Sequence, residues 1–301
     1  MFKLAHFRVL HSVARNGGLV PAAVQLNRSS SAVSLTLKQL EEEVGGRLFE
    51  GDRKSKLTPL GRFIVEETRP LLEHYDRIVQ AIRHHADGAP GQLDIACVPS
   101  IAATIVPDAI TATWKSRPGS RVEIRDMDSH SVTQAVLLGT VEIGLASAVG
   151  RRDELTFTPL LSDPLDVVCA QDDPLAKSAR PVEWDEVRAR PFLGNGSYTA
   201  TPSSELDRIN SDRIMYIANV ISIQAAVRAH IGITILPRMM RNSAMTGVAF
   251  VPLADASARR TVHAICRKGH RLSPIGERFL SLLRAILDAK RQEMGIELFG
   301  T

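Results

Sequence analysis

Between Ala22 and Gly61 the chain sets short apolar stripes between conformational breakers, at intervals that leave little freedom of fold. The run Ser30 to Glu41 repeats Ala32, Val33, Leu37 and Leu40 at helical spacing, so one side of a helix can meet a core while Ser30, Ser31, Ser34, Leu35 and Lys38 lie on other sides. Upstream, Phe2, Leu4, Phe7, Leu10, Val13 and Ala14 form another helical stripe, which Asn16-Gly17-Gly18 ends because glycine supplies the left-handed turn at a helix terminus. Pro21 suits the first turn of a short helix reaching Leu26, since it has no N–H to leave unpaired there. Asn27 to Ser30 make the turn, and a third helix runs from about Ser31 to Val44 before Gly45-Gly46 stops it. Leu48-Phe49 return apolar bulk to a small core, and Glu50 to Thr58 reads as a hairpin wing. That order predicts a winged helix-turn-helix, whose third helix can enter a DNA major groove.

Charge supports the same end of the chain. Residues 1–60 carry nine Lys/Arg against five Asp/Glu, a balance of +4 that equals the net charge of all 301 residues. The Arg53-Lys54-Ser55-Lys56 tip of the wing has the chemistry of a phosphate clamp, although a solvated basic face would look the same. A composition 44% apolar and 23% charged is that of a globular chain of two or three compact units. No apolar run reaches the roughly 18 residues of a membrane span and no signal core opens the chain, so the expectation is a cytoplasmic protein with no membrane partner. Cys97, Cys169 and Cys266 lie far apart in apolar segments, without spacing for a metal or a redox pair, and no metal or cofactor is expected.

From Pro59 to about Ala86, Ile64, Thr68, Leu71, Tyr75, Ile78, Ile82 and His85 alternate steps of four and three, the seam of a helix that pairs with a second copy. A helix lying on its own domain is the alternative, and Pro70 favours a kink under either reading. Asp87-Gly88-Ala89-Pro90-Gly91 reads as a hinge. Beyond it, strands at 93–98, 121–127 and 143–146 alternate with helices at about 100–114 and 131–138. A second such unit follows, with strands at 165–170, 191–194, 214–218 and 233–236 and helices near 203–210 and 222–230. A return strand at 262–266 and a closing helix at 274–290 complete an α/β, mostly parallel design. Two crossovers, near Ser162 and near Cys266, would join two lobes across a cleft, with ligands at the strand ends.

These residues resemble a known family. Ala22-Ala23, Leu26, Ala32-Val33-Ser34, Leu40-Glu41, Gly45, Leu48-Phe49, Leu57-Thr58 and Gly61 match the DNA-binding domain of LysR-type transcriptional regulators. Gly91 to Ile95, Val141 to Leu145, Gly232 to Pro237 and Leu272 to Leu283 match their regulatory half, which is similar to periplasmic solute-binding proteins. The resemblance implies a winged helix-turn-helix at 1–58, a linker and dimerisation helix at 59–88, and an effector-binding domain at 91–301, with lobe I at 91–162 and 267–301 and lobe II at 163–266. It implies double-stranded promoter DNA and a small-molecule effector as partners, a homodimer through the linker helix that assembles to a homotetramer, and RNA polymerase as a further partner. Ser30, Leu35 and Gly51 depart from the family's common Gln, Arg and Arg. Serine cannot make glutamine's bidentate contact to adenine and leucine cannot grip a guanine, so the family's base contacts do not transfer. His230 stands where a glycine is common.

The DNA-contacting candidates are therefore Ser30, Ser31, Ser34, Leu35, Lys38, Arg53, Lys54 and Lys56. For the effector, Ser100 follows the first strand, where a helix start favours an anion or simply takes an N-cap. Ser100 and Ser129 match positions that reach the ligand in relatives binding aromatic acids. Ser147 replaces an arginine found in some carboxylate-binding relatives. Asn195, Tyr198 and Thr201 belong to a polar loop (Asn195 to Thr201) expected on the opposite lobe, or on plain surface. A thiol-based redox regulator and an α/β enzyme are the competing classes. No GxSxG, P-loop, HExxH or dinucleotide fingerprint supports the enzyme, and no catalytic residue is named.

Overall fold

A computed structural model describes residues 2–51, 54–86, 91–150, 152–178, 180–198, 200–242 and 244–299. Arg53, Thr199, residues 87–90 of the hinge and the side chain of His85 therefore lie outside the described residues. The chain divides into two compact units, Met1–Ala86 and Asp87–Thr301.

In the first unit, α1 (Leu4–Asn16) ends on Gly17 at φ 71°, as the glycine pair predicts. Helix α2 spans Leu19–Gln25 and so begins two residues before Pro21. Asn27, at φ 51°, turns the chain into α3 (Ser30–Val44). Ser29 is the N-cap of α3, accepting from Ala32 N–H, and Gly45 closes it at φ 78°. A two-stranded wing pairs β1 (Phe49–Glu50) with β2 (Lys56–Leu57) and leads to α4 (Pro59–Ala86), which carries Pro70 inside it. The core is made by Val9, Leu10, Val13, Ala22, Ala23, Val33, Leu37, Leu40, Leu48 and Phe49. Gly61 lets α4 approach that core, because a Cβ there would sit 2.1 Å from the Leu48 carbonyl oxygen.

In the second unit the chain runs through β3 (Gln92–Cys97), α5 (Pro99–Thr104), α6 (Val106–Ser116), β4 (Arg121–Asp126), α7 (Ser129–Leu137), β5 (Ile143–Ala146) and the long strand β6 (Leu155–Ala170). It continues through α8 (Pro174–Lys177), α9 (Trp184–Arg188), β7 (Leu193–Gly194), α10 (Ser204–Ser211), β8 (Met215–Tyr216), α11 (Val220–Arg228), β9 (Thr234–Pro237) and a 3-10 turn at Arg238–Met240. Strands β10 (Val248–Pro252) and β11 (Arg259–Arg267), helix α12 (Pro274–Met294) and β12 (Glu297–Leu298) complete it.

Strands β4, β3 and β5 are parallel neighbours, as the alternating pattern predicts. Strand β6 departs from the expected parallel design: it pairs antiparallel with β11 along Leu155 to Pro164, and with β9 and β10 along Leu165 to Ala170. One strand thus serves both lobes, with Leu160 and Leu161 in the core of the first and Leu165, Val167 and Cys169 in the core of the second. The return crossover also differs from the expectation near Cys266. Val262, Ala264 and Ile265 pack in the first core and β11 pairs with β5, so the chain has already crossed before Arg259. Burial of the apolar side chains of β11 on the lobe I sheet fixes that assignment. The close turn at Gly232, where a Cβ would lie 2.5 Å from the Pro191 carbonyl oxygen, survives the loss of the family glycine because His230 itself adopts φ 56°.

Candidate DNA-reading helix and effector cleft

Helix α3 turns Val33, Leu37 and Leu40 into the core of the first unit, and the same rotation leaves Ser30, Ser31, Ser34, Leu35 and Lys38 exposed. Leu35 is 59% exposed, an apolar side chain on a polar face with no partner in its own core. Lys38 has Glu42 one turn away at 3.9 Å, a solvated pair that leaves its ammonium accessible. The wing residues separate into two kinds. Lys56 is exposed beside Glu50. Lys54 is drawn inward, its Nζ donating to both oxygens of Glu41 at 3.1 and 3.2 Å, while Glu41 Oε1 also accepts from Leu48 N–H at 2.8 Å. The structure thus gives Lys54 a fastening role between wing and α3 in place of the free clamp expected of it, because a half-buried carboxylate recruits the nearest cation. Along α4, Leu71, Tyr75, Ile78 and Ile82 form an exposed apolar stripe, while Leu72 turns inward.

In the second unit the three candidate serines share one edge. Because β3, β4 and β5 run parallel, the residues that follow their C-terminal ends, Ser100, Ser129 and Ser147, come out on the same side of the sheet, and all three are buried. Ser129 opens α7, where Asp128 is the N-cap and accepts from Ser131 N–H and Oγ. Burial opposes ionisation of Asp128, but the hydrogen bonds from Ser131 and His130 together outweigh it and hold its carboxyl below the usual range. The second lobe meets this edge at Gly196, where a Cβ would lie 3.8 Å from Asp128 Cβ. The polar loop expected on the opposite lobe is therefore against the start of α7.

Its side chains are occupied within their own lobe, however. Asn195 donates to Thr234 Oγ1 and to the Ile235 carbonyl and accepts from Ser197 N–H. The Tyr198 hydroxyl bonds Asn210 and accepts from Asn195 N–H, and its ring packs in the second core. These two residues brace the loop, and a satisfied buried polar group has no capacity left for a ligand without breaking a bond. Thr201 is different: its hydroxyl is buried without a partner.

Sequence reasoning missed the charges on this edge. Arg260 lies directly opposite Asp163 in the ladder of β11 and β6, and its Nη2 donates to Asp163 at 3.0 Å and to Ser100 Oγ at 2.6 Å. The same nitrogen lies 3.3 Å from Met239 Sδ, and Met239 N–H donates to the other oxygen of Asp163. Beside them Arg238 grips Asp166 through Nε and Nη2. Burial works against both charges of the inner pair, raising the Asp163 carboxyl and lowering the Arg260 guanidinium from their ordinary values, while each partner opposes the shift. A legible signal was present: Asp163, Asp166 and Arg260 stand within strand runs, and Arg238 directly follows one, charges that buried strands hold only when paired.

The three cysteines are free thiols, Cys97 and Cys169 buried and Cys266 partly so. Burial pushes the Cys97 thiol up to about 12, with Asp126 adding to the shift, and puts Cys169 and Cys266 at about 11. Such groups stay protonated at neutral pH and are poor nucleophiles. Among the described residues no cluster of His, Cys, Asp and Glu could hold a metal ion, and no helix is long and apolar enough to cross a membrane.

Comparison with known proteins gives the same division. Residues 4–62 match the family described as bacterial regulatory helix-turn-helix protein, lysR family, and residues 86–288 match the LysR substrate binding domain. The chain is 27% identical over 288 residues to the uncharacterized HTH-type transcriptional regulator YbhD of Escherichia coli (strain K12), covering 93% of this chain and 90% of that one. It is 29% identical over 287 residues to YeiE of the same strain, covering 92% and 95%. Among solved structures, CbnR, a LysR family transcriptional regulator, superposes with a TM-score of 0.72 at 20% identity, covering 95% of this chain and 99% of that one. Full-length BenM superposes with a TM-score of 0.56 at 22% identity, covering 96% of this chain and 98% of that one.

Proposed function

The chain belongs to the LysR family of bacterial helix-turn-helix transcriptional regulators, and from that premise we propose that it grips promoter DNA through α3 and is controlled by a small molecule held between the two lobes of its effector domain. The observation that carries the DNA reading is the split of α3 into a buried apolar side and an exposed side bearing Ser30, Ser31, Ser34, Leu35 and Lys38, in a unit that concentrates the net basic charge. Ser30, Ser31 and Ser34 offer hydroxyls to base edges or phosphates, Leu35 offers apolar contact to a thymine methyl, and Lys38 and Lys56 supply phosphate contacts. Arg53 would join them from the wing tip. CbnR has also been solved in complex with its target DNA, which supports the same use of this fold here.

The exposed stripe Leu71, Tyr75, Ile78 and Ile82 supports pairing of α4 with a second copy, and further pairing to a tetramer would space several reading helices along one promoter. Where the bound sites adjoin promoters, RNA polymerase is the further partner, and the working compartment is the cytoplasm. Residues 1–58 form the reader, 59–88 the linker and 91–301 the sensor, with the return crossover ahead of Arg259. Effector binding would act by favouring one arrangement of the lobes over another, a shift of population.

Selection of bound fragments from sheared genomic DNA tests this reading with the full-length protein. Wild type should enrich a small set of sites, and Lys38→Ala and Arg53→Ala should bind them more weakly with a shallower salt dependence. Enrichment of no site above random sequence by the wild type would overturn it.

A further inference from the structure

The first two turns of α3, Ser30 to Leu37, are the part of a reading helix that meets base edges, and they carry no amide, guanidinium or carboxylate. Their outward face is built from Ser31, Ser34 and Leu35, spaced i, i+3 and i+4, with Lys38 one turn further on. Leu35 points roughly opposite the side on which Val33, Leu37 and Leu40 are buried, and at 59% exposed it is the apolar tip of that face. A single exposed leucine is ordinary on a protein surface, and its surroundings give this one a consequence. Ser31 Oγ lies 3.0 Å from Ser29 Oγ, which also accepts from Ala32 N–H at 3.2 Å, and the Thr36 hydroxyl donates to the Ala32 carbonyl at 2.9 Å. A hydroxyl both donates and accepts, so a serine pairs as readily with O4 of thymine as with the N4 amine of cytosine. Lys38 can only donate, and serves guanine or phosphate.

Two pyrimidines differ in the major groove in two ways: thymine shows O4 and a C5 methyl, cytosine an N4 amine and a bare C5 edge. A face of hydroxyls and one isobutyl group is blind to the first difference and responds to the second. Burying a methyl against Leu35 removes apolar surface from water, whatever polar group lies beside it. Resting on the reading of α3 as the helix that enters the groove, we propose that Leu35 makes this protein a reader of pyrimidine C5 methyl groups, which accepts thymine and 5-methylcytosine alike and discriminates against uracil and unmethylated cytosine. Methylation of a cytosine at the contacted position thus strengthens a site, and base modification sets promoter occupancy without any change in effector. One buried methyl should be worth about fourfold in affinity, and the two contacts of a two-fold symmetric site on the order of fifteenfold.

The test uses the full-length protein and duplexes carrying the sites it selects from genomic DNA, with affinities read by fluorescence anisotropy at one fixed salt concentration. Each thymine of a half-site is replaced in turn by deoxyuridine, which removes only the methyl. At the thymine that responds, the pair is then exchanged for C·G with and without a methyl at C5. Deoxyuridine at one thymine per half-site should weaken binding about fourfold, and 5-methylcytosine should bind about fourfold tighter than cytosine at the same place. Both ratios should fall to unity in Leu35→Ser. They should also be lost in Leu35→Arg, whose guanidinium grips guanine and should move the preference to a G·C pair. Absence of any thymine that responds to loss of its methyl, equal affinity for cytosine and 5-methylcytosine, or undiminished ratios in either variant would each overturn the assignment. Selected sites without methyl dependence leave α3 standing as the reader and remove Leu35 from its code; selection of no site at all removes both.

Discussion

Glu41 is where the stability of the DNA-reading head and the fate of a wing lysine meet. Its Oε1 accepts from Leu48 N–H at 2.8 Å, on a residue with no exposed surface, and both oxygens hold Lys54. Glu41→Ala leaves that buried N–H unpaired, at about 1–3 kcal/mol, and removes a charge-assisted contact between side chains only 16% and 19% exposed, worth about 1 kcal/mol more. Glu41→Gln keeps an acceptor for Leu48 and should cost only about 1 kcal/mol. In a unit of this size each kcal/mol lowers the melting midpoint by roughly 4–8 °C, so the alanine variant should unfold its first unit on the order of 10 °C early and the glutamine variant about half as far. Differential scanning calorimetry of the full-length protein, which resolves the first transition, measures both. Salt titrations of DNA binding measure the other half. Lys54→Met should leave the slope of log K against log salt unchanged, whereas Lys38→Met should flatten it by about 0.9. Wild-type melting in Glu41→Ala would refute the tie, and a flattened slope in Lys54→Met would show that Lys54 leaves Glu41 for phosphate.

Two further outcomes follow from other parts of the molecule. Ile78 is 45% exposed in the middle of the α4 stripe, and Ile78→Glu should shift the protein toward the 32.9 kDa monomer in sedimentation velocity at micromolar concentration; an unchanged distribution would place the dimer contact elsewhere. The Cys266 thiol, raised to about 11 chiefly by burial and further by Glu142, ionises only as pH climbs toward that value. Its alkylation by iodoacetamide should therefore rise about tenfold per pH unit from neutrality upward, and a rate already at plateau near pH 8 would revive the redox reading.

The first unit was legible because its signals are local. The glycines at 17 and 45 end helices where the sequence says they should, and the α3 stripe buries the residues its period selects. The parallel strands of the first lobe were legible for the same reason. Strand β6 was half hidden. Pro159 and Pro164 interrupt its pattern, and Asp163 and Asp166 look like loop residues, yet each proline lies in the ladder opposite β11 and each aspartate has an arginine. Strand β10 has no counterpart among the elements expected from the sequence, and the apolar run of β11 begins only at Val262, three residues into the strand, which leaves Arg260 outside it. At the cleft, the alignment of Ser100, Ser129 and Ser147 on one edge was accessible from the strand order. The internal occupation of Asn195 and Tyr198 was not, since a polar loop reads the same whether its side chains face a ligand or brace one another.

What the sequence by itself determined is everything written in short periods: the three helices of the reader, the exposed side of α3, the apolar stripe of α4 from Leu71 to Ile82 and the alternating elements of the first lobe, whereas Ile64 and Thr68, which the same period assigned to a pairing seam, lie against their own unit. Side-chain periodicity and chain-terminating residues act over one or two turns, so neighbours suffice to specify them. What only the tertiary structure decided is which distant charges meet. Arg260 is 97 residues from Asp163 and 160 from Ser100, and nothing in the intervening chain states that they share a buried edge. Their pairing follows from a ladder between two strands and from the cost of burying an ion alone, a cost that exists only once the fold has excluded water.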